Sequence, residues 1–279
     1  MEVNKVDPKT AHEKLDHLRG YLKCLGSVAI AFSSGVDSTF LLKVAHDTLG
    51  ERSAALTVKS RVFPERESRE ADNFCLREGI RHIILESDEL KIEGFRENPA
   101  NRCYICKKHL FTEMLAAAHD AGFKYLAEGS NMDDLGDYRP GLQAIAELHI
   151  ESPLRHAGLT KAEIRYLSRE MNLPTWSKPS YACLASRFVY GEEITAEKLM
   201  MVDKAEQLLH DMGLGQYRVR IHGNIARIEV LPEEFSVIIE DKNRQQICSE
   251  LRAYGFAYVT LDLMGYRTGS MNEVLQKQR

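Results

Sequence analysis

No stretch of this chain is apolar for anything near the roughly 18 residues that a membrane-spanning helix requires, so no bilayer span and no membrane partner are expected. Nor is there an excess of positive charge. Lys and Arg number 37 against 41 Asp and Glu, a net charge of −4. A general nucleic-acid coat needs clustered cations, so no stable nucleic-acid partner is expected. The first residues are rich in Lys, Asp and Glu and lack the apolar stretch of a secretion signal, which makes the cytoplasm the expected location. Repeats and low-complexity tracts are absent. Cysteine is sparse, six residues in 279, and in a reducing compartment such residues serve metal or redox chemistry more often than disulfides.

The length leaves room for one large domain or two modest ones. The first half alternates apolar strand patterns with amphipathic helices: helix about 10–24, strand 27–32, helix 38–49, strand 53–59, a charged helix from Pro64 to Arg77, strand 80–85, helix 108–121 and strand 124–129. Strands separated by helices imply βαβ units and a parallel sheet with ligands at the carboxyl ends of its strands. Thr160 to Glu163 reads as a capping box, and 173–192, broken by Pro174 and Pro179, reads as a long functional loop. After a helix at about 195–212 the pattern becomes a hairpin around Gly223-Asn224, then helical segments at 232–254 and a last strand at 258–262. The expected architecture is an α/β parallel-sheet domain at 1–192 and a smaller α+β domain at 193–279.

Ser33-Ser34-Gly35-Val36-Asp37-Ser38 is the most informative stretch. It follows the strand Val28–Phe32 and opens a helix. The first N–H groups of a helix are unpaired and carry the positive end of its dipole, a natural seat for phosphate. Ser33 and Ser38 add hydroxyls, Gly35 admits a close anion, and Asp37 is placed to hold Mg²⁺ accompanying a nucleotide. The lysine of G-x-x-x-x-G-K-[ST] is missing, so this is no Walker loop. Thr57 and Val58, ending the second strand, are expected at the adenine. Glu128, after a strand, is expected to touch nucleotide or metal, or else to cap the turn that follows.

Asn101 to Lys107 carries one C-x-x-C, Cys103 and Cys106. Cys183 lies in a loop with no packing pattern. Three thiolates suit a [4Fe-4S] cluster with one iron open to an exogenous ligand; a zinc site completed by His109 is the weaker alternative. Cys24, Cys75 and Cys248 sit in helical patterns and read as small core residues. Arg218 and Arg220 alternate with Val219 and Ile221, so both guanidiniums share one strand face and can grip a phosphate, or else stand solvated beside Glu229 or Glu233. Arg139 is a weaker candidate for the same task.

The loop at 33–38 resembles the S-G-G-x-D-S loop of the PP-loop ATP pyrophosphatases, with Ser34 in place of the first Gly. A likeness to the LarE family of ATP-dependent sulfur transferases runs nearly end to end. It rests on that loop, Asn98 to Lys107, Glu128-Gly129-Ser130-Asn131, Asp133 to Gly141, Ser152-Pro153-Leu154, Gly158-Leu159-Thr160-Lys161, Ala182-Cys183-Leu184-Ala185-Ser186-Arg187, and Arg218-Val219-Arg220 with His222-Gly223. The resemblance implies a pyridinium mononucleotide substrate with two carboxylates. ATP adenylates one carboxylate, Asp37 helps place Mg²⁺, sulfur replaces AMP, and the cycle runs twice in building a nickel-pincer cofactor. Ser186 and Arg187 join Arg218 and Arg220 as the expected phosphate site. Members with one cysteine at the position of Cys183 sacrifice it to dehydroalanine. Those with three, matching Cys103, Cys106 and Cys183, use a [4Fe-4S] cluster bearing an extra sulfide, supplied by free sulfide or a cysteine desulfurase. A homo-oligomer is expected. The alternatives are tRNA thiolation on the same fold and a nucleotide-responsive iron–sulfur sensor without catalysis.

Overall fold

The apolar run at Val28 is sandwiched on both faces, and this one strand organises the first of two units. The computed structural model describes residues 6–136, 140–179 and 182–272. Its chain divides into one unit of residues 1–60, 65–87 and 103–181 and a second of 61–64, 88–102 and 182–279.

In the first unit β1 (Val28–Ala31), β2 (Ser53–Lys59), β3 (His82–Glu86) and β4 (Tyr125–Ala127) pair in the order β3-β2-β1-β4. Every pairing is parallel. The expected parallel sheet flanked by helices is therefore borne out. Side chains alternate between two apolar layers, as a period of two requires. Val28, Ile30 and Ala55 join Leu18 and Leu22 of α1 (Pro8–Leu25), Phe40 and Leu41 of α2 (Val36–Leu49) and Ile164 of α7 (Lys161–Glu170). Ala29, Ala54 and Leu56 turn the other way, toward Met114 and Ala118 of α4 (Arg102–Asp120). Between these lie α3 (Glu65–Glu78), α5 (Pro140–Glu147) and α6 (Pro153–His156). The sheet grows to one side through β2 and β3 and then returns to β4 beside β1. The order thus reverses at β1, and in open parallel sheets that reversal opens the ligand crevice at the strands' carboxyl ends.

The second unit holds α8 (Ala196–Asp211), a sheet in the order β5 (Tyr217–His222), β6 (Ile225–Val230), β7 (Tyr258–Leu261), and the helices α9 (Phe235–Ile239) and α10 (Asp241–Ala253). β5 and β6 form the expected antiparallel hairpin; β7 joins parallel to β6. The helical segments expected at 232–254 include these two helices, parted at Glu240 where the backbone turns extended (φ −52°, ψ 133°). The largest departure is α4, which starts at Arg102 rather than 108, so the C-x-x-C is helical. Among the described residues no helix is long and apolar enough to cross a membrane.

The capping box is formed: Thr160 Oγ1 accepts from the Glu163 N–H, and the Glu163 carboxylate receives the Thr160 N–H at 2.8 Å. The same carboxylate meets Lys14 Nζ at 2.7 Å. Burial alone would raise the Glu163 carboxyl, but Lys14 and the cap bonds outweigh it and hold it below its ordinary 4.5. A depressed carboxylate stabilises the fold above its unfolded value, and that contribution disappears as pH falls through the folded one. Glu163→Gln keeps cap geometry and removes only the ion pair. Its urea midpoint should lie below the native one at pH 7, and the two should converge when titrated to about pH 3.

Candidate anion and thiol sites

The turn from β1 to α2 places Gly35 at the N-cap in extended backbone (φ −78°, ψ 169°), leaving the α2 N-terminus without a side-chain cap. The Ser33 N–H donates to Ser38 Oγ at 3.4 Å, and the two hydroxyls meet at 3.2 Å. A Cβ added at Gly35 would stand 3.4 Å from Ser33 Oγ and 3.9 Å from Ser38 Oγ. The glycine therefore keeps methyl bulk from beside these donors rather than supplying a special φ. The special φ belongs to its neighbour: Ser34 sits at φ +51°, the region glycine favours. Ser34 Oγ donates to the Glu67 carbonyl at 3.1 Å, and Lys178 Nζ donates to the Ser34 carbonyl at 3.0 Å. Lys178 also pairs with Glu70 at 2.5 Å.

Asp37, in the first turn of α2, is already held by a cation. Lys161 Nζ, from the start of α7, donates to one carboxylate oxygen, and Asn131 Nδ2 donates to the other at 3.3 Å. The Lys161 backbone N–H donates to Asp133 at 2.7 Å. The environment around Asp37 thus suits a positive charge, as an Mg²⁺ ligand requires. The tie between Lys161 and Asp37 spans 124 positions and carries no local signal in the sequence. Gly129 packs its backbone on the same helix end, where a Cβ would come 3.1 Å from the Ser38 nitrogen.

Glu128 caps its own turn. It accepts from the Ser130 N–H at 3.0 Å, from Ser130 Oγ at 2.7 Å and from Ser152 Oγ at 2.6 Å. Thr57 Oγ1 donates to the Phe32 carbonyl at 2.9 Å, so its one proton is spent and it accepts from His82 Nε2 at 2.9 Å. His82 Nδ1 faces Asp72 at 3.2 Å. Burial lowers the His82 pKa against the pull of Asp72. Phe32 thus hands its carbonyl to Thr57, tying β2 to the strand that carries the anion loop.

Cys103 and Cys106 lie in the first turn of α4, the former exposed and the latter half-buried. Cys183 is half-buried and precedes a 3-10 turn, Leu184–Arg187. Cys75 is buried as expected; Cys24 is exposed, off the stripe of Ala11, Leu15, Leu18, Leu22 and Leu25 that faces the core, and Cys248 is half-buried. The thiols Cys103 and Cys106 belong to the first unit and Cys183 to the second. Among the described residues no group of three His, Cys, Asp or Glu side chains is arranged to hold a metal ion.

In the second unit Arg218 and Arg220 share one face of β5 but are not solvated. Both are buried. Arg220 pairs with Glu229 at 3.0 Å and donates to the Ser186 carbonyl at 3.1 Å. Arg218 donates to the Tyr217 carbonyl at 2.6 Å and lies over the Tyr266 ring. Burial, with Arg187 nearby, pushes its pKa down to about 10, still cationic at neutral pH. Arg187 is wholly buried and turned inward, pairing with Glu206 at 2.7 Å and donating to the Ala182 carbonyl at 2.8 Å. Arg187, Arg218 and Arg220 thus gather around the buried carboxylates of Glu206 and Glu229, a concentration of guanidiniums of the kind that suits an anion. Arg139 lies outside the described residues.

No family model matches the chain. It is 42% identical over 264 residues to an uncharacterised protein of Synechocystis sp., covering 95% of this chain and 98% of that one. It is 36% identical over 261 residues to the pyridinium-3,5-bisthiocarboxylic acid mononucleotide synthase of Lactiplantibacillus plantarum, covering 92% of each. A tRNA-specific 2-thiouridylase of Azorhizobium caulinodans is 27% identical over 266 residues, covering 79% of this chain and 68% of that one.

Ser34→Gly trades one hydroxyl bond, about 1 kcal/mol, for relief of a left-handed backbone worth about the same. It should leave pyrophosphate affinity, read by calorimetry, within about twofold of native. Gly35→Ala should fold normally yet lose about tenfold in the same titration, because its methyl stands beside the donors.

Proposed function

The chain belongs to the family of pyridinium-3,5-bisthiocarboxylic acid mononucleotide synthases, the LarE family of PP-loop enzymes, and on that premise we propose that it is an ATP-dependent sulfur transferase. Its substrate is pyridinium-3,5-biscarboxylic acid mononucleotide. The observation that carries this reading is the uncapped α2 N-terminus at the reversal of the sheet, with Asp37 in its first turn and a separate cluster of guanidiniums on β5.

A carboxylate is inert to sulfur nucleophiles because oxide is a poor leaving group. Attack of its oxygen on the α-phosphorus of ATP breaks the α–β bridge, forms an acyl adenylate and releases pyrophosphate. Ser33, Ser34, Gly35 and Ser38 hold the departing pyrophosphate through backbone N–H and hydroxyl donors, fixed before charge develops there. Asp37 would hold Mg²⁺, which neutralises phosphate charge when bound; Lys161 brings a further cation to the same helix end. Thr57 lines the adenine pocket and Glu128 orders the turn at its edge. Ser186, Arg187, Arg218 and Arg220 form the site for the substrate's phosphate, where bidentate donation by Arg suits a dianion. Sulfur then attacks the acyl carbon, expelling AMP and leaving a thiocarboxylate. Residues 193–279 serve the substrate and self-association, a role that exposed Tyr258, Leu263 and Met264 support.

For the sulfur source we assign sulfide carried on a [4Fe-4S] cluster ligated by Cys103, Cys106 and Cys183, supported by the presence of all three thiols. A second reading is supported by the hold on Cys183 alone, with Arg187 bonded to the carbonyls on both sides of its thiol: the Cys183 thiolate attacks the acyl carbon itself, AMP leaves, and loss of the cysteine α-proton with cleavage of its Cβ–S bond gives dehydroalanine and the thiocarboxylate.

Supplying ATP and the dicarboxylate mononucleotide should release AMP and pyrophosphate; ATP binding with no release would overturn the enzyme reading in favour of a sensor. Anaerobic protein reconstituted with iron and sulfide should be brown and lose its colour in Cys103→Ala. A colourless native protein, together with a chain lighter by one hydrogen sulfide after turnover, would establish the sacrificial route instead. Retention of tRNA on a filter would favour the thiouridylase-like reading.

A further inference from the structure

Glu206 lies on α8 and is wholly buried. Its carboxylate receives three N–H groups. Arg187 donates from Nε at 2.8 Å and from Nη2 at 2.7 Å, and the Val219 backbone N–H donates at 2.9 Å. Each donor belongs to a different functional segment. Arg187 ends the 3-10 turn after Cys183, and its remaining nitrogen, Nη1, donates to the carbonyls of Ala182 at 2.8 Å and Cys183 at 3.3 Å and to Ser186 Oγ at 2.8 Å. Both peptide carbonyls flanking the thiol-bearing residue are therefore held by one guanidinium. Val219 is the residue between Arg218 and Arg220 on β5.

Stability is a poor reason for this arrangement. Removing two charges from water costs several kcal/mol per ion, and apolar residues of similar volume often serve a fold as well. Here the ion pair instead fixes positions, and its geometry is over-determined: two bonds form the fork, one reaches the strand and three reach the loop. Burial would raise the Glu206 carboxyl, but the Arg187 guanidinium outweighs it and keeps the carboxylate ionised.

We propose that Glu206 is a positioning residue that sets the Cys183 loop and the Arg218–Arg220 strand in one fixed register, so that the thiol and the anion-binding face are held by a single carboxylate. The proposal rests on the function assigned above, but its test does not need turnover. Two readouts are used on the full chain: the rate of Cys183 alkylation by iodoacetamide, followed by peptide mass spectrometry with exposed Cys103 as internal reference, and the affinity for nicotinic acid mononucleotide, a pyridinium mononucleotide with one carboxylate.

Glu206→Gln is nearly isosteric but points an amide N–H₂ at donors and leaves Arg187 uncompensated. It should alkylate at Cys183 about tenfold faster and bind the mononucleotide about tenfold more weakly, the fold-change expected from losing a bond to a charged group. Arg187→Lys keeps an ion pair with Glu206 and leaves the Val219 bond intact, but one ammonium cannot span both loop carbonyls. Cys183 should again react faster. Native alkylation rate and native affinity in Glu206→Gln, with only a lowered melting temperature, would overturn the proposal. If that variant does not fold, unchanged Cys183 reactivity in Arg187→Lys overturns it alone. Failure of native protein to bind the mononucleotide would count against the assigned substrate, while the alkylation comparison would still decide the role of Glu206.

Discussion

An uncapped helix end at the point where the strand order reverses is the constraint around which the first unit is arranged. The first N–H groups of α2 have no intrahelical acceptor, and Gly35 offers them no side-chain oxygen. Such a terminus survives when something else balances its charge. Here the balance is shared. Asp37 in the first turn answers the dipole, and Lys161 and Asn131 answer Asp37. The seat is thus polarised before a ligand arrives, with donors at the loop and a carboxylate–ammonium pair beside them. Burial of β1 on both faces makes this possible, because a strand fixed by two apolar layers cannot let the loop drift.

The alternation of strands and helices was legible because each strand is a short apolar run and each helix has its own stripe. The start of α4 was not. Asn98-Pro99 and two cysteines read as loop, yet the stripe of buried Leu110, Met114 and Ala118 extends backward at four-residue spacing through half-buried Cys106 to buried Arg102. A cysteine is weak evidence of a helical face when polar residues surround it, and the buried Arg102 reads as exposed charge. Its burial depends on Asn98, whose Oδ1 accepts from Arg102 Nη1 while Nδ2 donates to the Val189 carbonyl at 2.6 Å, a contact across 91 positions that no local pattern announces. The helices α5 and α6 escaped for a simpler reason: they are too short to establish a period.

Alternation along β5 puts Arg218 and Arg220 on one face, and the structure covers that face instead of solvating it. Period-two alternation fixes which side chains lie together; it does not say what covers them. The covering groups come from β6, which supplies Glu229 opposite Arg218 in register, from α8 through Glu206, and from Ser270 near the C-terminal end, whose hydroxyl donates to Glu229 at 3.0 Å. Arg227 leans on Glu229 and Asp262, so carboxylates from two further strands' ends reach the same cluster. Buried guanidiniums are costly as folding elements, and on the proposed function the phosphate of the substrate is the group they would receive.

The six thiols differ by environment rather than by residue type. Burial pushes the Cys75 thiol up to about 12, so it carries almost no thiolate at neutral pH and is inert as ligand or nucleophile. Cys24 and Cys103 are exposed, but only Cys103 has a second thiol one turn away on its helix, and the chelate that two such thiolates form is what separates a metal ligand from a surface cysteine. Cys183 is half-buried and stands just before a 3-10 turn. It has a loop whose carbonyls are bound by a guanidinium fixed to α8. Fixing the backbone on both sides of a cysteine while leaving its sulfur half-exposed constrains where the sulfur can be without desolvating it. Both routes to sulfur transfer need that combination: a cluster ligand must hold its place through exchange of the open site, and a nucleophile must meet the acyl carbon within a narrow approach. The placement of Cys183 therefore serves either chemistry, and the choice between them falls on Cys103 and Cys106, the two thiols that only one of the routes requires.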